Sequence, residues 1–454
     1  MRVRSLLSLL LLVLLFLASC TKEEKEEPIN HLPEIGLPIS TQAFADSLFS
    51  LAVEVDDIDG DAVAVSAEGL PGWLSFDAPG LRLYGTPGRQ DKGEHKLTII
   101  ASDGKGQQSR MLTIEVVILY SLQEKLEQEL YERFVLSTPG LLSVSAAVAT
   151  PDGQLLTATE GDSNPWEGLP VTPAHRYRMA SVSKVFTAAL VLRLAEEGYF
   201  QLDDKLAQYV PLDGLQYGQT ITIRQLLSHT AGVVDHLNSS DFFTGNWMSR
   251  TWTNEDIIQY AVDHGALFQP GTGYAYSNTG FYFLGALIES VTQMPLAQAF
   301  GQWVFEPLGL ENTVYDDFSD IAHPIPNLAR NARSYEYSLT AVGAAGSIVA
   351  TPADIARFGR AVYGGGFLSP ASIDAMTTDY GFAVGGDHYG LGTRLWDDHN
   401  IIHHGHTGAL MDYRTILMYV PAYDVCIALA TNEPHANWFD LVNGVLVEVV
   451  NHYR

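Results

Sequence analysis

Ser181-Val-Ser-Lys-Val-Phe-Thr-Ala-Ala-Leu-Val-Leu-Arg-Leu-Ala-Glu-Glu-Gly198 is apolar along most of its length and closed by a glycine, the pattern of a helix ending in a left-handed cap. A helix apolar on nearly every side is buried at the centre of a domain. Two polar residues stand out at its start. Ser181 and Lys184 are three apart, so they share a face, and Ser181 falls where unpaired amides and the helix dipole favour negative charge. A serine hydroxyl is a poor nucleophile until a neighbour takes its proton. An amine held in a partly buried site has its pKa lowered and can act as that base. Ser-x-x-Lys alone says little, because a chain of this length should hold roughly one or two by chance. Ser102-Asp-Gly-Lys105 is another match, in a turn where the lysine would splay into water. Taken alone, the first pair also reads as a capping serine with a snorkelling lysine.

Two further motifs follow it. Tyr276-Ser-Asn278 lies between the turn-rich Pro270-Gly-Thr-Gly273 and an apolar helix pattern from Thr279, so its tyrosine and asparagine can point into one cleft. His406-Thr-Gly408 leads a strand continuing Ala409-Leu-Met-Asp-Tyr-Arg-Thr-Ile-Leu, and its glycine lets a substrate lie close against the backbone. In this order and spacing the three motifs resemble the serine hydrolases of the penicillin-binding protein and class C β-lactamase group. Leu226-Leu-Ser-His-Thr-Ala-Gly232, Pro307-Leu-Gly-Leu310, Gly343-Ala-Ala-Gly-Ser347 and Thr351-Pro-Ala-Asp354 resemble framework phrases of the same group, so the likeness spans nearly all of residues 121–454.

That resemblance implies acyl transfer through a serine ester. Ser181 attacks an amide, lactam or ester carbonyl, Lys184 and Tyr276 manage its proton, and water releases the acid. Asn278, His406, Thr407 and Gly408 bind and orient substrate, and the amide of Ala409 pairs with that of Ser181 in an oxyanion hole worth about 3–4 kcal/mol per donor. D-alanyl-D-alanine peptides, β-lactams and small esters all suit such a site. His406 replaces the lysine of the group's Lys-Thr-Gly element, as in some of its peptidases and esterases, and a neutral imidazole attracts substrate anions less than an ammonium. No acidic deacylation base of the class A type can be identified. His229 reads as a structural, hydrogen-bonded histidine. No cofactor is implied.

Upstream, residues 32–118 alternate in short runs such as Leu51–Val55, Ala62–Ser66, Leu81–Tyr84, Lys96–Ile100 and Met111–Val116, punctuated by Pro-Gly and Asp-Gly turns. This is the pattern of an all-β sandwich. Leu70-Pro-Gly-Trp-Leu-Ser-Phe-Asp77, Tyr84-Gly-Thr-Pro87 and Ala101-Ser-Asp-Gly104 resemble the Ig-like, cadherin-like modules of bacterial surface proteins, with Trp73 and Phe76 as core anchors. Asp57-Ile-Asp-Gly-Asp61 reads as an exposed acidic turn or as a calcium site of the cadherin type; Ala62 stands where an EF-hand needs its glycine. From Ser121 the period changes: Leu122, Leu126, Leu130 and Phe134 line one helical face. A hairpin around Pro151-Asp-Gly153, helices to Tyr363, strands from Ile401 to Ala430 and a closing helix Trp438–His452 predict an α+β domain, an antiparallel sheet with a helical subdomain. The chain is therefore expected to be multidomain: a sandwich followed by a β-lactamase/transpeptidase-like unit over 121–454.

Residues 1–20 read as an address. Arg2 and Arg4 precede a leucine-rich run and Leu17-Ala-Ser-Cys20, which resembles a bacterial lipobox whose cysteine is acylated; a cleaved signal or anchor helix is the alternative. Residues 21–31 form an acidic tether resembling the surface-export signal of Bacteroidetes lipoproteins. An exported lipoprotein of the outer membrane, facing periplasm or cell surface, is expected. Cys426 is the only other cysteine, so no disulfide framework exists. A net charge of −27 from 53 acidic and 26 basic residues argues against nucleic acid as partner and leaves a small molecule or peptide, cell-wall peptide among them. Two rival readings remain. His404 and His406 share a strand face at metal-ligand spacing, but no further histidine or carboxylate follows at the spacing of zinc hydrolases, so no metal is assigned. The other rival is a lipid-anchored surface protein that binds without catalysis.

Overall fold

The computed structural model describes residues 29–136, 140–164, 166–239, 250–316, 327–329, 339–380, 388–433 and 438–454. The expected leader, Cys20 and most of the tether lie outside the described residues. Backbone contacts divide the chain into two units, Met1–Tyr120 and Ser121–Arg454.

The first unit is all-β. Its strands are β1 (Glu34–Gly36), β2 (Ser40–Phe44), β3 (Phe49–Ala52), β4 (Glu54–Asp56), β5 (Ala64–Glu68), β6 (Leu74–Asp77), β7 (Arg82–Gly85), β8 (Gly93–Ser102) and β9 (Gln107–Val117). One sheet runs β2-β9-β8-β5, with β2 parallel to β9; a second runs β3-β7-β6; β1 pairs with β4. The inward residues Leu83, Ile99, Leu112 and Ile114 are fully buried, as the alternation predicts. Trp73 meets the Phe49 ring edge-on at 5.9 Å, and both Trp73 and Phe76 pack against this core. The expected strand Leu51–Val55 is divided at Val53, whose amide turns to the carbonyl of Leu81 (2.8 Å), so its halves join different sheets. At the acidic turn, the amides of Asp59 and Asp61 donate to Asp57 Oδ1, an Asx turn. The oxygens of Asp57, Asp59 and Asp61 lie within 4.8 Å of one another, with Lys105 Nζ 2.6 Å from Asp61 and the His31 ring on Asp59. Strands flank it, not the helices of an EF-hand.

The second unit opens with α1 (Leu122–Leu136), β10 (Ser143–Ala149), β11 (Leu155–Asn164), β12 (Leu169–Pro170) and β13 (Tyr177–Arg178). The helical part holds α2 (Ser183–Glu196), α3 (Ile223–Leu227), α4 (Asn254–His264), α5 (Asn278–Thr292) and α6 (Leu296–Phe300). There follow β14 (Val314–Tyr315), β15 (Ile348–Ala350), α7 (Pro352–Tyr363) and α8 (Pro370–Thr377). The return to strands is β16 (His388–Tyr389), β17 (Arg394–Asp398), β18 (Ile401–Leu410), β19 (Tyr413–Val420) and β20 (Val425–Thr431), closed by α9 (Trp438–Tyr453). Eight strands form one sheet in the order β12-β11-β10-β20-β19-β18-β17-β16, and β13-β15-β14 form a small second sheet.

Alternation sorts the central strands into two chemically different faces. Val144, Val148, Ile427 and Leu429 face α1 and α9, meeting Leu126, Leu130, Leu441 and Val445. The residues between them, Ala147, Ala149, Cys426, Ala428 and Ala430, belong to the other core with Phe186 and Phe358. These small side chains let α7 lie close: a methyl group on Gly359 would stand 2.5 Å from Cys426 Sγ. Phe186 of α2 then stacks on Phe358 of α7. In α2, Val185, Phe186, Leu190, Val191, Leu192 and Leu194 are at most 1% exposed. At roughly 1.5–3 kcal/mol for each such side chain, their burial gives on the order of 10 kcal/mol, enough to hold one buried lysine in the same helix.

Candidate active site

Ser181 lies in a 3₁₀ turn, Ala180–Val182, just before α2, so the helix starts two residues later than Ser181. Ala180 holds φ 48°, a left-handed conformation that costs a non-glycine residue about 1 kcal/mol. The turn is anchored from behind. Thr415 Oγ1 of β19 donates to the carbonyl of Met179 (2.8 Å), Ser183 Oγ accepts from the amide of Ile348 (3.0 Å), and Thr187 Oγ1 donates to the carbonyl of Ala344 (2.7 Å).

Lys184 is completely buried. Its Nζ lies 3.1 Å from Ser181 Oγ, 2.7 Å from Asn278 Oδ1 and 2.9 Å from the carbonyl oxygen of Ala345. A neutral amine has two N–H donors and a lone pair. Here the two carbonyl-type oxygens take the donors and Ser181 faces the lone pair; in the ammonium form all three partners accept. Both protonation states are satisfied. Burial lowers the Lys184 pKa to about 7, Arg394 pushes the same way, and Asp235 opposes them. Tyr276 OH donates to Ser181 Oγ at 2.9 Å, and burial raises its pKa, so the phenol keeps its proton at neutral pH.

Tyr276 is held by His229. The carbonyl of His229 accepts from the amide of Ala275 (3.0 Å) and its Nδ1 accepts from the amide of Ser277 (3.1 Å), so one residue binds the amides on either side of the tyrosine. The two rings lie 4.3 Å apart. Burial, the largest cause, holds the His229 pKa well below the ordinary range, which keeps Nδ1 free to accept. Ser277 caps α5 through its hydroxyl, which accepts from Gly280, and this sets Asn278 at the helix start facing Lys184.

His406, Thr407, Gly408 and Ala409 all lie within β18, a single strand that passes through the motif and turns at Met411-Asp412 into β19. The sequence reads both as separate strands, Ile401–His406 and Tyr413–Tyr419, and as one strand running on from Gly408. The break falls at Met411, which takes φ 50° in a two-residue turn with neither glycine nor asparagine to announce it. β17 pairs with β18 only as far as Arg394 opposite Gly405. Beyond that, His406–Leu410 has no β17 partner among the described residues, and this rim borders the cavity. Gly408 is required by contact: a methyl there would meet Thr415 Oγ1 at 2.1 Å and the Met179 carbonyl at 2.3 Å. Gly408→Ala is therefore expected to push the Ser181 turn off β19, costing roughly 1–3 kcal/mol of stability. It should lower kcat on the order of 100-fold, since a shift of about 1 Å is that costly. Calorimetry and steady-state rates would check both.

His406 Nδ1 donates to the carbonyl of Thr407 (2.6 Å), leaving Nε2 to accept from Tyr389 OH (3.1 Å). Burial first, then Arg394 and Lys184, hold its pKa well below the usual value, so the imidazole is neutral. His403 instead contacts the carbonyl of Ile401 and lies near Asp398.

A cavity of about 420 Å³ is lined by Ser181, Tyr276, Asn278, His406, Thr407 and Ala409 together with Arg394, Leu237 and Met411. Among the described residues, every sequence-derived site residue except Lys184 and Gly408 lines it; Lys184 reaches it through Ser181, and Gly408 supports it from beneath. Sequence reasoning missed Asp235, Tyr389 and Arg394. Asp235 follows the Leu226–Gly232 phrase by three residues, the one local cue. Tyr389 and Arg394 carried none.

An antiparallel sheet with a helical subdomain, and a Ser-x-x-Lys pair opening the helix between them, define the penicillin-recognising fold class. The chain belongs to the Beta-lactamase family, whose model matches residues 125–451; residues 35–117 match the model described as "Putative Ig domain". Penicillin-binding protein 4* of Bacillus subtilis (strain 168) is 30% identical over 248 residues, 48% of this chain and 53% of that protein, so the chain spans about half its length. Penicillin-binding protein 4 of Amycolatopsis lactamdurans is 28% identical over 350 residues, covering 70% of this chain and 89% of that one. The structure of D-amino acid amidase from Ochrobactrum anthropi SV3 complexed with L-phenylalanine superposes with a TM-score of 0.65 at 25% identity, covering 73% of this chain and 99% of that chain.

Proposed function

We propose that the protein is a serine hydrolase that cleaves amides or lactams through an acyl-enzyme. The observation that carries this reading is Ser181 Oγ on a cavity wall within hydrogen-bond reach of both Lys184 Nζ and Tyr276 OH. Lys184 accepts the hydroxyl proton as Oγ bonds to the carbonyl carbon. The amides of Ser181 and Ala409 receive the oxyanion. Tyr276 gives its proton to the departing nitrogen and regains one from Lys184. Water then attacks the ester, its proton passes back along the same path, and the acid leaves. Asn278 and Thr407 orient the substrate, and the His406–Leu410 rim of β18 accepts its backbone.

The substrate we favour carries a carboxylate next to the scissile amide, as a D-alanyl-D-alanine peptide does. Neutral His406 supplies no charge, but Arg394 lines the same cavity and keeps its guanidinium charge at working pH. D-amino acid amides are the second candidate class, given the amidase likeness. We assign membrane attachment to acylated Cys20, at the outer membrane and facing periplasm or cell surface, with cell-wall peptide as the natural partner. A panel of nitrocefin, a D-Ala-D-Ala peptide, a D-amino acid amide and a p-nitrophenyl ester tests the function, with covalent labelling of Ser181 by a fluorophosphonate or fluorescent penicillin. No turnover and no labelling would leave only a binding protein. In Arg394→Gln, kcat/KM for the peptide should fall about 10- to 100-fold, the worth of a charge-assisted hydrogen bond, while the neutral ester is spared. Because Arg394 also lowers the Lys184 pKa, the comparison belongs near pH 9, where the lysine is neutral in both forms.

A further inference from the structure

Asp235 stands behind the reacting pair and belongs to none of the three motifs. Asn278 Nδ2 donates to its two carboxylate oxygens at 3.1 and 3.0 Å, while Asn278 Oδ1 accepts from Lys184 Nζ at 2.7 Å. The two ends of a carboxamide are opposite in hydrogen-bonding character. Flipped, Asn278 would set its NH₂ against the lysine and its oxygen against the carboxylate, so Asp235 permits one orientation only. The carboxylate is itself fixed. Asp235 Oδ1 accepts from the amide of Leu237 (3.1 Å) and Oδ2 from Asn238 Nδ2, and Asp235 caps the short turn His236–Asn238. Both neighbours are tied to α5: the carbonyl of Val234 accepts from Ser277 Oγ (3.1 Å), and the His236 ring contacts Thr279 Oγ1 (2.7 Å).

We propose that Asp235 is a positioning residue for acyl transfer, locking Asn278 with its oxygen on Lys184 and giving the lysine a counter-charge across that amide. The proposal rests on the reading of Ser181 and Lys184 given above. The groups around Lys184 divide by sign. Arg394 disfavours the ammonium and Asp235 favours it; the Tyr276 phenol, His229, His406 and the buried His236 are all held neutral by burial.

The test is Asp235→Asn in the full-length chain, assayed on whichever substrate of the panel the wild type turns over. The expected result is a fall in kcat of about 10- to 100-fold, since Asn278 loses its single orientation. With it, the acid limb of kcat/KM moves to lower pH, because the lysine without its anion loses a proton more readily. Asp235→Glu should keep the limb at its wild-type position with kcat restored at least in part. Unchanged kcat and limb in Asp235→Asn would overturn the proposal, as would a lower kcat with the limb unmoved, the mark of a merely structural role. If Asp235→Asn does not fold, Asp235→Glu decides: a limb displaced in that variant overturns the proposal. A wild type that neither turns over substrate nor labels at Ser181 refutes the hydrolase reading itself; a labelled wild type with an indifferent Asp235→Asn variant refutes this inference alone.

Discussion

Ser181→Ala is expected to lower kcat by about 10⁴–10⁶-fold while leaving the fold intact. Removing the nucleophile of a serine hydrolase abolishes the covalent path and leaves only the contribution of binding and the oxyanion donors. The change should be tolerated structurally because Ser181 is half-buried on the cavity wall, and the lysine behind it keeps Asn278 Oδ1 and the Ala345 carbonyl. Its melting temperature should therefore stay within a few degrees of wild type, and a fluorophosphonate should no longer label the chain. A variant with comparable turnover would remove Ser181 from the mechanism.

Lys184 should set the pH dependence. As base it works only unprotonated, so with a pKa of about 7 the kcat/KM profile should climb tenfold per pH unit below about 6, bend near 7 and level off above 8. The sign is diagnostic: a lysine acting solely as an ammonium would give a rate that falls as pH passes 7. Lys184→Met is expected to lose about 10³-fold or more and to flatten the limb. A retained limb at the same pH in that variant would assign the titration to another group. Holding a proton on Lys184 at neutral pH costs on the order of 5 kcal/mol relative to water, a burden the apolar length of α2 offsets.

What could be read from the chain was what lies close along it. The apolar run after Ser181, the spacing to Lys184, the loop before Thr279 and the glycine of His406-Thr-Gly408 are each signals within a few residues, and together they bring Ser181, Tyr276, Asn278 and His406 to one cavity. The Ig-like alternation was equally local. Partners brought together by the fold were not legible. Arg394 and Tyr389 reach the site through β16 and β17, short strands without a periodic signature. The positive φ values at Ala180 and Met411 are imposed by the packing around them, against the preference of their own side chains. The small β13-β15-β14 sheet is built from strands of two or three residues, too short for any pattern to show.

The division of the central sheet into a bulky face and a face of alanines makes the molecule unequal in what it forgives. On the bulky side, trimming Val148 or Ile427 opens a void and weakens the fold locally. On the other, enlarging Ala147 or Ala428 has nowhere to go except into α7, and from there through Phe358 and Phe186 into α2. Growth on that side is therefore transmitted to the turn that holds Ser181, so loss of activity can arise from substitutions well away from the cavity.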